Sequence, residues 1–200
     1  MRRVLASALL LVALPGLLSA CFHDPISVSF HEDFETDLTS WETDADVPTD
    51  PNNPGNPVAW SITVSQERAA EGERSARFEL DGSQDDGTVW LTRAFEVPPN
   101  QSIDVDLDFQ LWNRSQSMAN TLIKVAAYAG AQPPQAEADF NTERPGNRVE
   151  GWDEYEYRFS TPSSAEGQVW VAFGISVVWE TQVVYYIDDV NVEIDQPGLL

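Results

Sequence analysis

The chain has 200 residues, 33 of them acidic and 11 basic, for a net charge of −22. A surface of that sign repels phosphate backbones and anionic headgroups, which argues against nucleic acid as a partner and against charge-driven binding to lipid. The acids are left with two uses: general solubility in a salty medium, or local clusters that attract cations such as Ca²⁺.

Residues 1–20 read as a leader rather than as part of the fold. Arg2 and Arg3 form a basic start, and Val4 to Leu18 is apolar except for Ser7, Pro15 and Gly16. A run of about 15 such residues is short for a membrane span and suits the apolar region of a signal peptide. The segment ends Leu18-Ser19-Ala20-Cys21, which resembles the bacterial lipobox at all four positions. That resemblance implies cleavage before Cys21, a lipid on its thiol and a membrane anchor. Phe22 follows the cysteine where Asp would retain a lipoprotein at the inner membrane, so the resemblance implies sorting to the outer membrane. Cys21 is the sole cysteine, so no internal disulfide is available. Residues 21–26 then serve as lipidated Cys and tether, 27–194 as one domain, and 195–200 as a C-terminal tail.

From Ser27 onward the pattern is one of short alternating runs separated by Gly, Pro, Asn and Asp. Val28, Phe30 and Phe34 mark a strand over 27–35, and Val58, Trp60, Ile62 and Val64 mark one over 58–65. Ala76, Phe78 and Leu80 share a face in 75–80, and 88–97 is apolar on both sides. In 103–113 the row Ile103, Val105, Leu107, Phe109, Leu111 alternates with polar residues. Strands follow at 121–129, at 153–160 (Tyr155, Tyr157 and Phe159 against Glu154, Glu156 and Arg158), at 168–179 and at 182–194. Nine such strands without an internal repeat predict an all-β domain, an antiparallel two-sheet β-sandwich or barrel. Two long loops interrupt them. Residues 43–57 carry four prolines and are not expected to join a ladder; residues 130–151 are longer than an ordinary connection.

The last strand contains a fault. Val184, Tyr186, Val190, Val192 and Ile194 share one parity, but so does Asp188, with Asp189 beside it. An inward carboxylate costs several kcal/mol unless hydrogen-bonded, neutralised or bound to a cation. A β-bulge at the acidic pair resets the parity and turns one acid outward. If the first and last strands are neighbours, Glu35 approaches Asp188 or Asp189, and two or three carboxylates with backbone carbonyls make a hard-oxygen site suited to Ca²⁺. The alternative is that backbone N–H groups or an Arg hold the acids without a metal.

The segments "DFE" (33–35) near Trp41, "WLTRAFEVPP" (90–99), "SARF" (75–78), "VWVAFGISVVWE" (169–180) and "YYIDDVNV" (185–192) resemble the galactose-binding-like jelly-roll modules. These include bacterial carbohydrate-binding modules and the choice-of-anchor and cleaved-adhesin domains. The resemblance implies a jelly roll and a structural Ca²⁺ tying Glu35 to Asp188 or Asp189.

Sugar binding needs exposed rings beside groups that meet hydroxyls. Trp112 lies in the polar row with Asp104, Asp106, Asp108 and Gln110, and Trp152 has the parity of Glu154 and Glu156. Gln110, Asn113 and Arg114 are positioned by sequence to supply hydrogen bonds beside Trp112. The competing reading packs both rings under loops or at sheet edges. Trp41, Trp60, Trp90, Trp170 and Trp179 are assigned to the core or its rim. The row Asp104-Asp106-Asp108 is either a solvated face or a cation attractor. No nucleophile elbow, paired-His metal motif or phosphate loop is present, so no catalytic residue is named. The expected function is non-catalytic binding of an extracellular glycan or surface partner. The alternatives are an assembly lipoprotein packed on another envelope protein and, more remotely, a glycoside hydrolase.

Overall fold

The computed structural model describes residues 27–81, 86–114, 122–178 and 183–197. The leader, Cys21, Trp179, and the first residues of two expected strands, Thr121 and Gln182, lie outside them. Among the described residues ten strands are present: β1 (Ser27–Glu32), β2 (Glu42–Asp46), β3 (Trp60–Ser65), β4 (Ser75–Leu80), β5 (Thr88–Glu96), β6 (Ser102–Asn113), β7 (Ile123–Gly130), β8 (Gly151–Pro162), β9 (Gln168–Val177) and β10 (Val183–Asp195). Among the described residues the one helical element is a 3-10 turn at Glu137–Asp139. No helix there is long and apolar enough to cross a membrane.

The strands form two antiparallel sheets packed as a sandwich. The first runs β3-β4-β10-β6-β8, with β1 also paired to β10; the second runs β2-β5-β9-β7. Alternation explains the packing directly. Ile103, Val105, Leu107, Phe109 and Leu111 of β6 are all buried, as are Tyr155 and Tyr157 of β8, which lie opposite Phe109 and Leu107. They meet Val89 and Leu91 of β5 and Val171, Phe173 and Ile175 of β9 in one continuous core. Phe109 and Phe173 cross between the sheets with centroids 5.3 Å apart, and Trp41 abuts Phe173 edge-on at 4.9 Å.

One expected loop is part strand. β2 pairs with β5 from Glu42↔Thr92 to Asp46↔Thr88, although "ETDAD" carries a single apolar residue, Ala45. As an exposed edge it needs no apolar face, and its acids discourage further pairing. The second long loop is a fixed cover. It bonds to β7 through Ala127↔Asn141 and Val125 N–H to Arg144 O at 2.9 Å. It seats Phe140 over Trp90 on the outer face of the second sheet, at 5.1 Å.

Candidate functional site

The acidic pair in β10 is the place where that strand changes partner. Residues Val183 to Ile187 pair with β4, and Val190 to Asp195 pair with β1, along the same edge. On its other side β10 pairs with β6 from Tyr186 to Asp195, with a register shift between Asp188 and Asn191. Asp189 adopts a left-handed φ of 52°, which makes the shift a bulge of the kind that adds one residue to a strand. The consequence is a change of parity. The core row is Tyr185, Ile187, Val190, Val192 and Ile194. Val184, Tyr186 and Asp188 therefore do not face the core, contrary to the row read from even numbering. They belong to the outer face of the first sheet.

Asp188 is nonetheless fully buried, because the loop 66–74 between β3 and β4 folds over it. Its Oδ2 accepts the N–H of Ala70 at 2.7 Å and of Glu71 at 3.2 Å, and its Oδ1 accepts that of Asp189 at 2.9 Å. Burial raises its carboxyl above the ordinary range, an effect those three donors only partly offset. Glu35 grips the same loop from the other end of the chain. Its Oε1 accepts the N–H of Glu73 at 2.7 Å and of Arg74 at 2.8 Å. Between these grips Gly72 has φ +65°, and a Cβ there would fall 2.3 Å from Glu35 Oε1. Glu35 reaches the loop because Phe34 turns sharply at φ 54° just after β1 ends.

Expected ligands Glu35, Asp188 and Asp189 thus do not converge on one cation position among the described residues. Both oxygens of Asp188 and one of Glu35 face backbone N–H donors, whose polarity is wrong for a neighbouring metal ion. The group whose ligand atoms lie within 4.8 Å of one another is His31, Glu71 and Asp189. His31 donates Nε2–H to Asp189 Oδ1 at 3.0 Å, and His31 and Glu71 are exposed. Only Asp189 is common to the expected and observed sets. An imidazole with two carboxylates is a softer donor set than the all-oxygen site expected for Ca²⁺.

The aromatic candidates fare differently. Trp112 and Trp152 are directly opposite in the β6–β8 ladder, and Trp112 is opposite Tyr186 in β10. A row Tyr186–Trp112–Trp152 therefore crosses three strands on the outer face. Trp112 meets Tyr186 edge-on at 5.5 Å. The guanidinium of Arg68, from the loop 66–74, lies over the Trp112 ring at 4.5 Å from its centroid. A cavity of about 340 Å³ opens beside it, lined by Glu67, Arg68, Arg77, Trp112, Arg114 and Tyr186, with Val184. Arg114 is exposed at its rim, and Gln110 is half-buried two residues from Trp112 on the same face. Asn113 is not at this site. It shares the inward parity of Leu111, is 3% exposed, and donates Nδ2–H to Val149 O, fastening the 130–151 loop. Arg68, Arg77 and Tyr186 join the site unforeseen. Tyr186 was hidden by the parity change, and nothing in the local sequence tells which strand the loop 66–74 overlies.

Further down the same face each acid of the β6 row has its own partner. Asp104 accepts from Ser160 at 2.6 Å, Asp106 pairs with Arg158 at 2.8 Å, and Asp108 accepts from Asn191 at 2.9 Å. This is a solvated face. On the second sheet, Glu137 Oε2 accepts the Thr88 hydroxyl at 3.2 Å, and burial, with Asp86 adding to it, raises the Glu137 carboxyl.

No family model matches the chain, and no curated protein does. Solved structures do resemble it. One is a carbohydrate-binding module of the β-sandwich superfamily, with a TM-score of 0.51 at 13% identity, covering 84% of this chain and 74% of that one. A mannan-recognising carbohydrate-binding module gives 0.47 at 11% identity, covering 86% and 99%. A cleaved adhesin domain of Lys-gingipain from Porphyromonas gingivalis gives 0.40 at 16% identity, covering 86% and 99%. At 13% identity the likeness to the first extends to the fold: an all-β, two-sheet antiparallel sandwich.

Proposed function

We propose that this chain is a non-catalytic surface lipoprotein, anchored through Cys21 to the outer membrane, whose sandwich binds an extracellular glycan at Trp112 and Trp152. The observation that carries the reading is the register match of the two rings on a polar outer face, beside a 340 Å³ cavity furnished with Arg, Tyr and Glu side chains. Rings stack on pyranose C–H surfaces while the polar groups meet hydroxyls. An assembly role would call for an apolar patch, and the large hydrophobic side chain exposed among the described residues is Val149 alone.

A glycan array probed with the wild type and Trp112→Ala tests this. Binding to at least one polysaccharide is expected, reduced about tenfold or more by loss of the ring, with unchanged far-UV dichroism. Silence across the array defeats the reading. We also propose a divalent cation at Asp189, with His31 and Glu71 as the neighbouring ligands. A thermal melt before and after chelation checks it; an unmoved midpoint removes the metal.

A further inference from the structure

The ligand class can be narrowed, and the narrowing rests on the glycan reading just given. We infer that the Trp112 site takes an acidic polysaccharide, one whose sugars carry carboxylate or sulfate groups.

Charge supplies the first argument. In a chain of net charge −22, three of the eight arginines that follow Arg3 line this one cavity: Arg68, Arg77 and Arg114. Two acids stand beside them, and both are already engaged. Glu67 accepts the Tyr186 hydroxyl, and Glu79 pairs with Arg77 Nη1 at 2.6 Å. No carboxylate among the described residues pairs with Arg68 or Arg114. A hydrogen bond from a neutral hydroxyl leaves the charge of Glu67 in place, so three guanidinium groups against two carboxylates leave the site one positive charge in excess on a molecule that is otherwise strongly anionic. A local reversal of sign costs nothing to a neutral ligand and gives it nothing. It gives an anionic one a favourable place to settle among surrounding acids that repel it.

Geometry supplies the second. The Trp112 face is not bare. The Arg68 guanidinium carbon lies over it at 4.5 Å from the ring centroid, so a neutral pyranose would have to displace a cation–π contact before stacking. A sugar carboxylate needs no such exchange: Arg68 Nη1 donates to Glu67 O at 3.2 Å, and the remaining N–H groups of the guanidinium can donate to the anion while it stays over the indole. Arg77 adds a buried Nε–H with no partner, on a side chain that lines the cavity. A buried donor left unpaired is costly, and an anion entering from the cavity satisfies it.

The test uses the full-length chain in neutral detergent, by affinity electrophoresis against polygalacturonate, alginate, hyaluronan and dextran sulfate. Fully methyl-esterified polygalacturonate and plain dextran serve as uncharged counterparts. At least one acidic polymer should be retained about tenfold more strongly than its neutral counterpart, and the preference should shrink between roughly 0.05 and 0.5 M salt. The double variant Arg68→Gln/Arg114→Gln should lose that preference and keep its melting midpoint. Trp112→Ala should weaken retention of every polymer the wild type binds. Equal retention of charged and uncharged forms, or retention of neutral glycans alone, overturns the inference and leaves glycan binding standing. Retention of acidic polymers that is unchanged in Trp112→Ala and in the double variant overturns the site. Binding to no polysaccharide removes the glycan reading and this inference together.

Discussion

Asp188 is a carboxylate used as a structural clamp. Three backbone N–H groups converge on it in a fully buried position. Removing the acceptor strands those donors away from water, so Asp188→Ala is expected to destabilise the fold by about 3 kcal/mol. Asp188→Asn keeps one carbonyl oxygen for the loop and should recover part of that loss. Denaturant melts of both variants measure it, and an unaltered midpoint for the Ala variant would show the clamp to be idle. That some device must reconcile Asp188 with its strand was legible from "YYIDDVNVEI". Which donors do so was not, because Ala70 and Glu71 are more than a hundred residues away and belong to a loop without a pattern of its own.

At the scale of elements, the loop 66–74 is held from both ends of the sequence, by Glu35 and by Asp188. Gly72 sits between the two grips, where φ is +65° and a Cβ would meet Glu35 Oε1. Gly72→Ala should therefore cost about 1–2 kcal/mol and loosen the loop. Faster amide exchange at Glu73 and Arg74 would report it; protected amides there would contradict it. The strands themselves were largely written in their alternation, since one buried face imposes a period of two. β2 escaped because an exposed edge strand needs no apolar row. The outward parity of Trp112 and of Trp152 could each be read locally. Their meeting could not, since it depends on which strands become neighbours, and the bulge at Asp189 shifted Tyr186 into their row from a position that looked internal. Asn113 was misplaced for a simpler reason: proximity in sequence to Trp112 puts it on the opposite face.

For the whole molecule, charge sets the response to pH. Burial raises the carboxyls of Asp188, Asp108 and Glu137 above their unfolded values. The folded state then holds protons that the unfolded state releases. The stability these groups contribute is fully present below the unfolded carboxylate range and is lost as pH rises through their folded values. Self-repulsion among 33 acids works in the same direction. Glu79, lowered by Arg77, has the opposite sign, but it is largely solvated and screened. The melting midpoint should accordingly be higher near pH 5 than near pH 8 at fixed ionic strength. A midpoint that climbs steadily across that interval would refute this.

The antiparallel seam of β1 against β10 also orients the molecule. Ser27 lies opposite Asp195, whereas Tyr186 and Trp112 lie nine residues back along β10. At about 3.3 Å per residue, the entry of the chain and the aromatic row are separated by roughly 30 Å. Anything that holds the polypeptide ahead of Ser27 therefore grasps it at one pole and presents the tryptophans at the other, standing clear of the supporting surface by about the length of the domain.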